Sequence, residues 1–121
     1  MRVLFHGTYA KHLKAILREG LRTHHDGANF DRRAMFNDSE QRIFLATTFE
    51  EADNYARNIL PNEFNRRRVA ILAVTLDDDH PLVHGDTICE FHCFGVATTR
   101  DIPPERIRVL WEGRPTGLVA A

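Results

Sequence analysis

Cysteine is scarce in this 121-residue chain, with only Cys89 and Cys93. One pair four positions apart is not the set of bridges on which small secreted domains depend, so a reducing compartment is expected. Long hydrophobic runs are also missing. The longest, Val69 to Val74, falls far short of the roughly 20 residues that cross a bilayer, and no basic segment with an apolar stretch opens the chain. These absences predict a soluble, cytoplasmic protein with no membrane partner. Charge of one sign is lacking as well: 16 Lys and Arg stand against 17 Asp and Glu, a formal net charge of -1. No overall pull toward nucleic acid follows, and any basic surface must be local. Neither internal repeats nor low-complexity segments are evident. What is present is enough apolar surface, 43% hydrophobic residues, for a core without disulfides or a structural metal. The length fits a single domain over residues 1–121.

Along the chain, Arg2 to Phe5 reads as a short strand, with His6-Gly7-Thr8 as a polar turn after it. From Tyr9 the period becomes helical, with Leu13, Ile16 and Leu17 on one face and Gly20 as the C-terminal cap. Leu21 then folds back onto the helix end. Residues 22–42 have no sustained period and read as a long loop, of the kind that is usually functional or mobile. Ile43 to Ala46 reads as a buried strand. Thr48 with Glu51 makes a capping box for a helix carrying Phe49, Ala52, Tyr55, Ala56 and Ile59 on one face, ended by Pro61. Val69 to Leu76 has the continuous apolar character of a central strand, broken by Asp77-Asp78-Asp79. Shorter strands follow at Ile88 to Phe91, Phe94 to Thr98 and Ile107 to Trp111. Helices early and strands late predict an α+β domain with a mostly antiparallel sheet.

Four segments stand in a particular order: Phe5-His6-Gly7-Thr8, then Ile16 to Leu21, then Ile43-Phe44-Leu45-Ala46 with Asn54-Tyr55 in the following helix, and finally Gly95-Val96 leading to Asp101-Ile102-Pro103-Pro104-Glu105-Arg106-Ile107. Together they resemble the ADP-ribosyltransferase superfamily, in the branch of the poly(ADP-ribose) polymerases and RNA 2′-phosphotransferases. The resemblance covers about Val3 to Leu110 and implies a split antiparallel β-sandwich with two helices. It also implies NAD as co-substrate, and transfer of ADP-ribose to a protein or nucleic-acid acceptor with release of nicotinamide. Short single-domain chains of this kind suit a bacterial or phage effector or toxin.

Carried over residue by residue, the resemblance makes His6 the histidine that hydrogen-bonds the ribose next to nicotinamide. Gly7 becomes the residue whose backbone grips the carboxamide. Thr8 and Ala46 flank them in the NAD-binding set. Phe44 falls where the polymerases carry a tyrosine, keeping the aromatic face without the hydroxyl, and Tyr55 where a second aromatic stacks on nicotinamide. Val96 stands where their catalytic glutamate would be, which argues against polymer formation. The candidates for steadying positive charge on the sugar are then Glu90, which is preferred, Asp77 to Asp79, or an acceptor that brings its own negative charge. Arg32 and Arg33 either clamp the pyrophosphate or belong to a solvated loop. His6 has an ordinary alternative as a strand-end histidine, and Phe44 and Tyr55 as core aromatics. Arg66-Arg67-Arg68 is a solvated connection, or the first place to seek phosphate contacts if the acceptor is RNA or DNA. Cys89, His92 and Cys93, with His84 nearby, are not expected to bind metal, because His92 would face away from both cysteines on a strand. Two other functions fit the same residues: an RNA 2′-phosphotransferase-like enzyme, and a catalytically inactive module that binds NAD or ADP-ribose. The sequence leaves oligomeric state open.

Overall fold

Eight residues, Arg2–Tyr9, form the first strand, β1. In this computed structural model, which describes residues 1–23, 42–59, 67–84 and 96–114, the strand runs straight through His6-Gly7-Thr8, where a turn was expected. The reason is the ladder: every residue from Arg2 to Tyr9 pairs antiparallel with the central strand Val69–Leu76. A glycine permits a turn but does not impose one when both neighbours are already paired. A 3₁₀ turn at Ala10–His12 leads into α1, Leu13–Glu19. This helix buries Leu13 and Ile16, but Leu17, expected on the same face, is 47% exposed. Gly20 caps it in a conformation with φ 86°, and Leu21 folds back to pair with Ile102.

The second strand is β2, Ile43–Leu45. It is followed by α2, Phe49–Asn54, which continues as a wider π turn over Tyr55–Ile59. Thr48 caps α2 through its hydroxyl, which accepts the Glu51 N–H at 3.2 Å. The Glu51 carboxylate takes the Thr47 hydroxyl instead of returning to the cap, so only half of the expected box forms. Phe49 sits partly in solvent, its ring edge-on to Phe5 at 6.2 Å, rather than in the core. The remaining strands are β3 (Val69–Leu76), β4 (Val83–His84), β5 (Val96–Thr98) and β6 (Ile107–Gly113). β4 was not expected. The expected strand at Ile88 to Phe91, the Pro61 stop and Gly95 lie outside the described residues.

Two antiparallel three-stranded sheets result, ordered β1-β3-β6 and β2-β5-β4, so the fold is α+β with two helices. Side chains alternate across the first sheet. One face, with Leu4, Ala70, Leu72, Val74 and Leu76, packs against α1 and against Ile43, Leu45 and Val96 of the second sheet. The other face, with Val69 and Ile71, packs against Ala52 and Ala56 of the α2 segment. β3 is therefore covered on both sides, which is why it reads as an unbroken apolar run. Each of its buried Leu, Ile and Val side chains contributes about 1.5–3 kcal/mol of gross hydrophobic stabilisation. Among the described residues the two sheets meet backbone to backbone at a single pair. Phe5 N–H donates to the Ala46 carbonyl at 2.9 Å, and Ala46 N–H returns the bond at 2.7 Å.

Candidate functional site

The seam between the sheets gathers most of the expected site residues. Beyond the Phe5–Ala46 pair β1 and β2 part, and no further ladder pair joins them. A continued ladder would set Gly7 opposite Phe44. Instead the Phe44 carbonyl lies 2.8 Å from His6 Nδ1. A carbonyl can only accept, so Nδ1 carries the proton and, in the neutral ring, Nε2 is left as the acceptor. Burial holds the His6 pKa below the usual imidazole range, against the raising effect of the Phe44 carbonyl. The ring is therefore neutral near pH 7.

Gly7 is built into the same seam. Successive strand residues send their N–H and C=O groups to alternate edges. Phe5 spends its pair on Ala46, so Gly7 directs its own pair to the same edge, beside the parting strands. Its Cα face is closely covered: an added Cβ would lie 3.1 Å from the Ala52 carbonyl, 3.1 Å from the Tyr55 ring and 3.2 Å from the Ala56 methyl. A side chain here would need these neighbours to give by a few tenths of an ångström, so glycine suits the close packing of the α2 segment onto β1. Thr8 is buried, as is Ala46.

Both aromatic rings are largely enclosed, Phe44 with 5% and Tyr55 with 7% of its surface exposed. Tyr55 opens the π turn and lies against Gly7 on the sheet face opposite His6, since neighbouring strand residues point to opposite sides. No family model, curated protein or solved structure matches this chain. The local geometry of its own residues therefore carries the functional reading.

The carboxylate candidates separate. Val96 is buried in β5 opposite Leu45. Asp77 to Asp79 follow Leu76, which pairs with Arg2, whereas His6 pairs with Leu72. That difference of several residues is roughly 15 Å along the sheet at strand rise. There Asp78 binds the N-terminal ammonium at 2.9 Å and Asp77 binds Arg106 at 3.1 Å. These acids serve the far end of the sheet and are removed from the seam. Glu90, Arg32 and Arg33 lie outside the described residues, as do Cys89, His92, Cys93 and the His84 side chain. Among the described residues no three His, Cys, Asp or Glu side chains converge.

Two features gave no sequence signal because they join distant segments. The Arg57 guanidinium, ion-paired with Asp53, lies 4.1 Å over the Trp111 ring. His80 Nε2 shares a 2.9 Å hydrogen bond with the fully buried Thr98 hydroxyl, which also accepts the Arg100 N–H. Desolvation, and then the Arg100 and Arg2 charges, hold His80 below the usual imidazole range.

Both histidines bind protons less readily in the folded chain than in the unfolded one. The unfolded state therefore takes up protons first as pH falls through about 6.5, and the folded state loses stability below that value. Urea midpoints measured between pH 7.5 and pH 5 should decline on the acid side, and the decline should be shallower in His80→Asn. A midpoint that rises over this window would contradict the assigned directions.

Proposed function

We propose that this protein is an NAD-dependent mono-ADP-ribosyltransferase with the split antiparallel β-sandwich of that superfamily. The observation that carries the reading is the hydrogen bond from His6 Nδ1 to the Phe44 carbonyl at the parting of β1 and β2. It holds a neutral imidazole with Nε2 as an acceptor, next to a glycine whose backbone pair faces the same opening. Those are the two polar contacts that a ribose hydroxyl and a carboxamide need, one from a side chain and one from main chain. Tyr55 and Phe44 supply the apolar walls.

NAD brings the labile bond: the C1′–N bond breaks, nicotinamide leaves with the bonding pair as a neutral ring, and an acceptor oxygen or nitrogen bonds C1′ and releases its proton to water. Since the leaving group departs neutral, the protein's task is alignment rather than proton donation. His6 fixes the sugar, Gly7 fixes the amide, and the enclosed seam limits water. Glu90 is the preferred group for steadying charge on the sugar, and Arg32 and Arg33 for the pyrophosphate.

The test is nicotinamide release from NAD, followed by chromatography with and without cell extract as acceptor. His6→Ala should slow release at least about tenfold, equivalent to about 1.4 kcal/mol. An unchanged rate in that variant would remove His6 from the site. A second reading, a binding module without turnover, draws support from Val96 and from the distance of Asp77 to Asp79. Calorimetric binding of NAD with no nicotinamide released by the wild-type chain would establish that reading in place of the first.

A further inference from the structure

Past its bridge to Ala46, β1 runs on to one end of the first sheet, and that end is basic. β1 finishes at Tyr9 beside Val69, and Val69 pairs in turn with Gly113, so three adjacent strands end together. Arg67 and Arg68 lead into Val69, Arg114 follows its partner Gly113, and Lys11 lies in the 3₁₀ turn that follows Tyr9, so all four sit at this end of the sheet. The Ala10 N–H donates to the Arg68 carbonyl at 2.8 Å, which fixes the alignment. Lys11, Lys14, Arg67, Arg68 and Arg114 are all exposed. Arg68 is paired with Glu112 at 3.6 Å, while Lys11, Lys14, Arg67 and Arg114 have no carboxylate partner among the described residues. The acidic run Asp77 to Asp79 is at the opposite end. Two of the acids at that opposite end, Asp78 and Asp77, are paired with the N-terminal ammonium and Arg106, whereas most of the cations at this end are not paired with a carboxylate among the described residues.

We infer that this rim is a docking surface for the phosphodiester backbone of a single-stranded nucleic acid. As the acceptor-binding surface it rests on the reading above; as a binding surface it does not. Three strand ends side by side span roughly 10 Å. That width suits a short run of consecutive phosphates on one strand. A duplex fits less well, because an acceptor atom that must enter a crevice between two strands has to come from an unstacked nucleotide. An acidic peptide would use the charge but not the neighbouring aromatic surface. The partly exposed Trp111 ring, with the Arg57 guanidinium over one face, extends over Gly113, where an added Cβ would lie 2.9 Å from it, and so borders the basic row. Exposed cations beside an aromatic ring are the combination that single strands favour.

The experiment is fluorescence anisotropy with labelled 12-nucleotide DNA and RNA strands, a DNA duplex and a polyglutamate peptide, at 50 and 200 mM salt. One variant reverses the row (Lys11→Glu, Arg67→Glu, Arg114→Glu) and another neutralises it with glutamine at the same positions. Both single strands, or one of them, should bind the wild-type protein more tightly than duplex or peptide. The charge-reversed variant should bind at least about tenfold more weakly, with a salt slope shallower by about 2, and the glutamine variant should fall between. The choice between DNA and RNA is read from the two single-stranded arms. No binding by the wild type, equal binding by the charge-reversed variant, or preference for duplex or peptide would overturn the inference. Nicotinamide release into water should be unchanged in both variants. If the wild type releases none while strand binding follows the stated pattern, the transferase reading fails and the docking surface stands. If NAD is turned over and the strands do not bind, the docking surface fails alone.

Discussion

Gly20→Ala is expected to lower stability by about 3 kcal/mol or more, among the largest effects of any single substitution in this chain. Two causes add. Gly20 has φ 86° and ψ -176°, a region essentially reserved for glycine, and no small rotation brings a side chain out of it. An added Cβ would also lie 2.1 Å from the Ile102 carbonyl oxygen, which is itself fixed by accepting the Leu21 N–H at 2.9 Å. The obstacle is backbone, and the Asp101 carboxylate ties the same strand segment to Thr23 by bonds of 2.8 and 2.9 Å. Relief therefore requires separating α1 from the strand it caps against. Urea unfolding of the variant measures this, and a loss under about 1 kcal/mol would mean that the Gly20–Ile102 approach is looser than described.

Leu72→Ala should cost about 2–5 kcal/mol, the range for truncating an enclosed core leucine. Leu72 is fully buried on the middle strand and contributes to the larger of the two cores, with Ile16, Leu45 and Val96. The same substitution has a second expected effect. Leu72 stands opposite His6 in the β1–β3 register and shares its face of the sheet. Removing its branched end admits water beside the imidazole and relieves the desolvation that holds the His6 pKa down. Nuclear magnetic resonance titration should place His6 closer to 6.5 in the variant than in the wild type. A variant with full stability would contradict the core assignment, and an unshifted titration would trace the His6 perturbation to another source.

Local chemistry made much of this fold legible. Gly20 as a cap, Thr48 as an N-cap and the apolar run of β3 each announce themselves within a few residues, because the physics behind them is short-range. Errors arose where tertiary contact decided. Gly7 looked like a turn residue, but the glycine serves the approach of Ala52, Tyr55 and Ala56 from a segment more than forty positions away. Leu17 and Phe49 satisfied helical spacing and still remained exposed, since each helix buries a narrower stripe than its sequence offers. β4 is two residues long and has no pattern to read. At the site, His6, Gly7, Phe44, Ala46 and Tyr55 were named from their order, and the structure gathers them around one seam. The Nδ1 contact to Phe44 could not be seen in advance, because a main-chain acceptor carries no mark of residue type. The basic rim was hidden for a similar reason: Lys11, Arg67 and Arg114 belong to three separate segments whose ends become neighbours only through strand register.

The joint between the sheets has a mechanical consequence. Among the described residues the Phe5–Ala46 pair and the His6–Phe44 contact link the two sheets at the seam, whereas each sheet is held internally by its own ladders. Tilting one sheet against the other stretches these bonds and leaves both ladders whole. Widening of the joint at the imidazole has to break the bond that sets the tautomer of His6, so that bond acts as a latch between the two sheets.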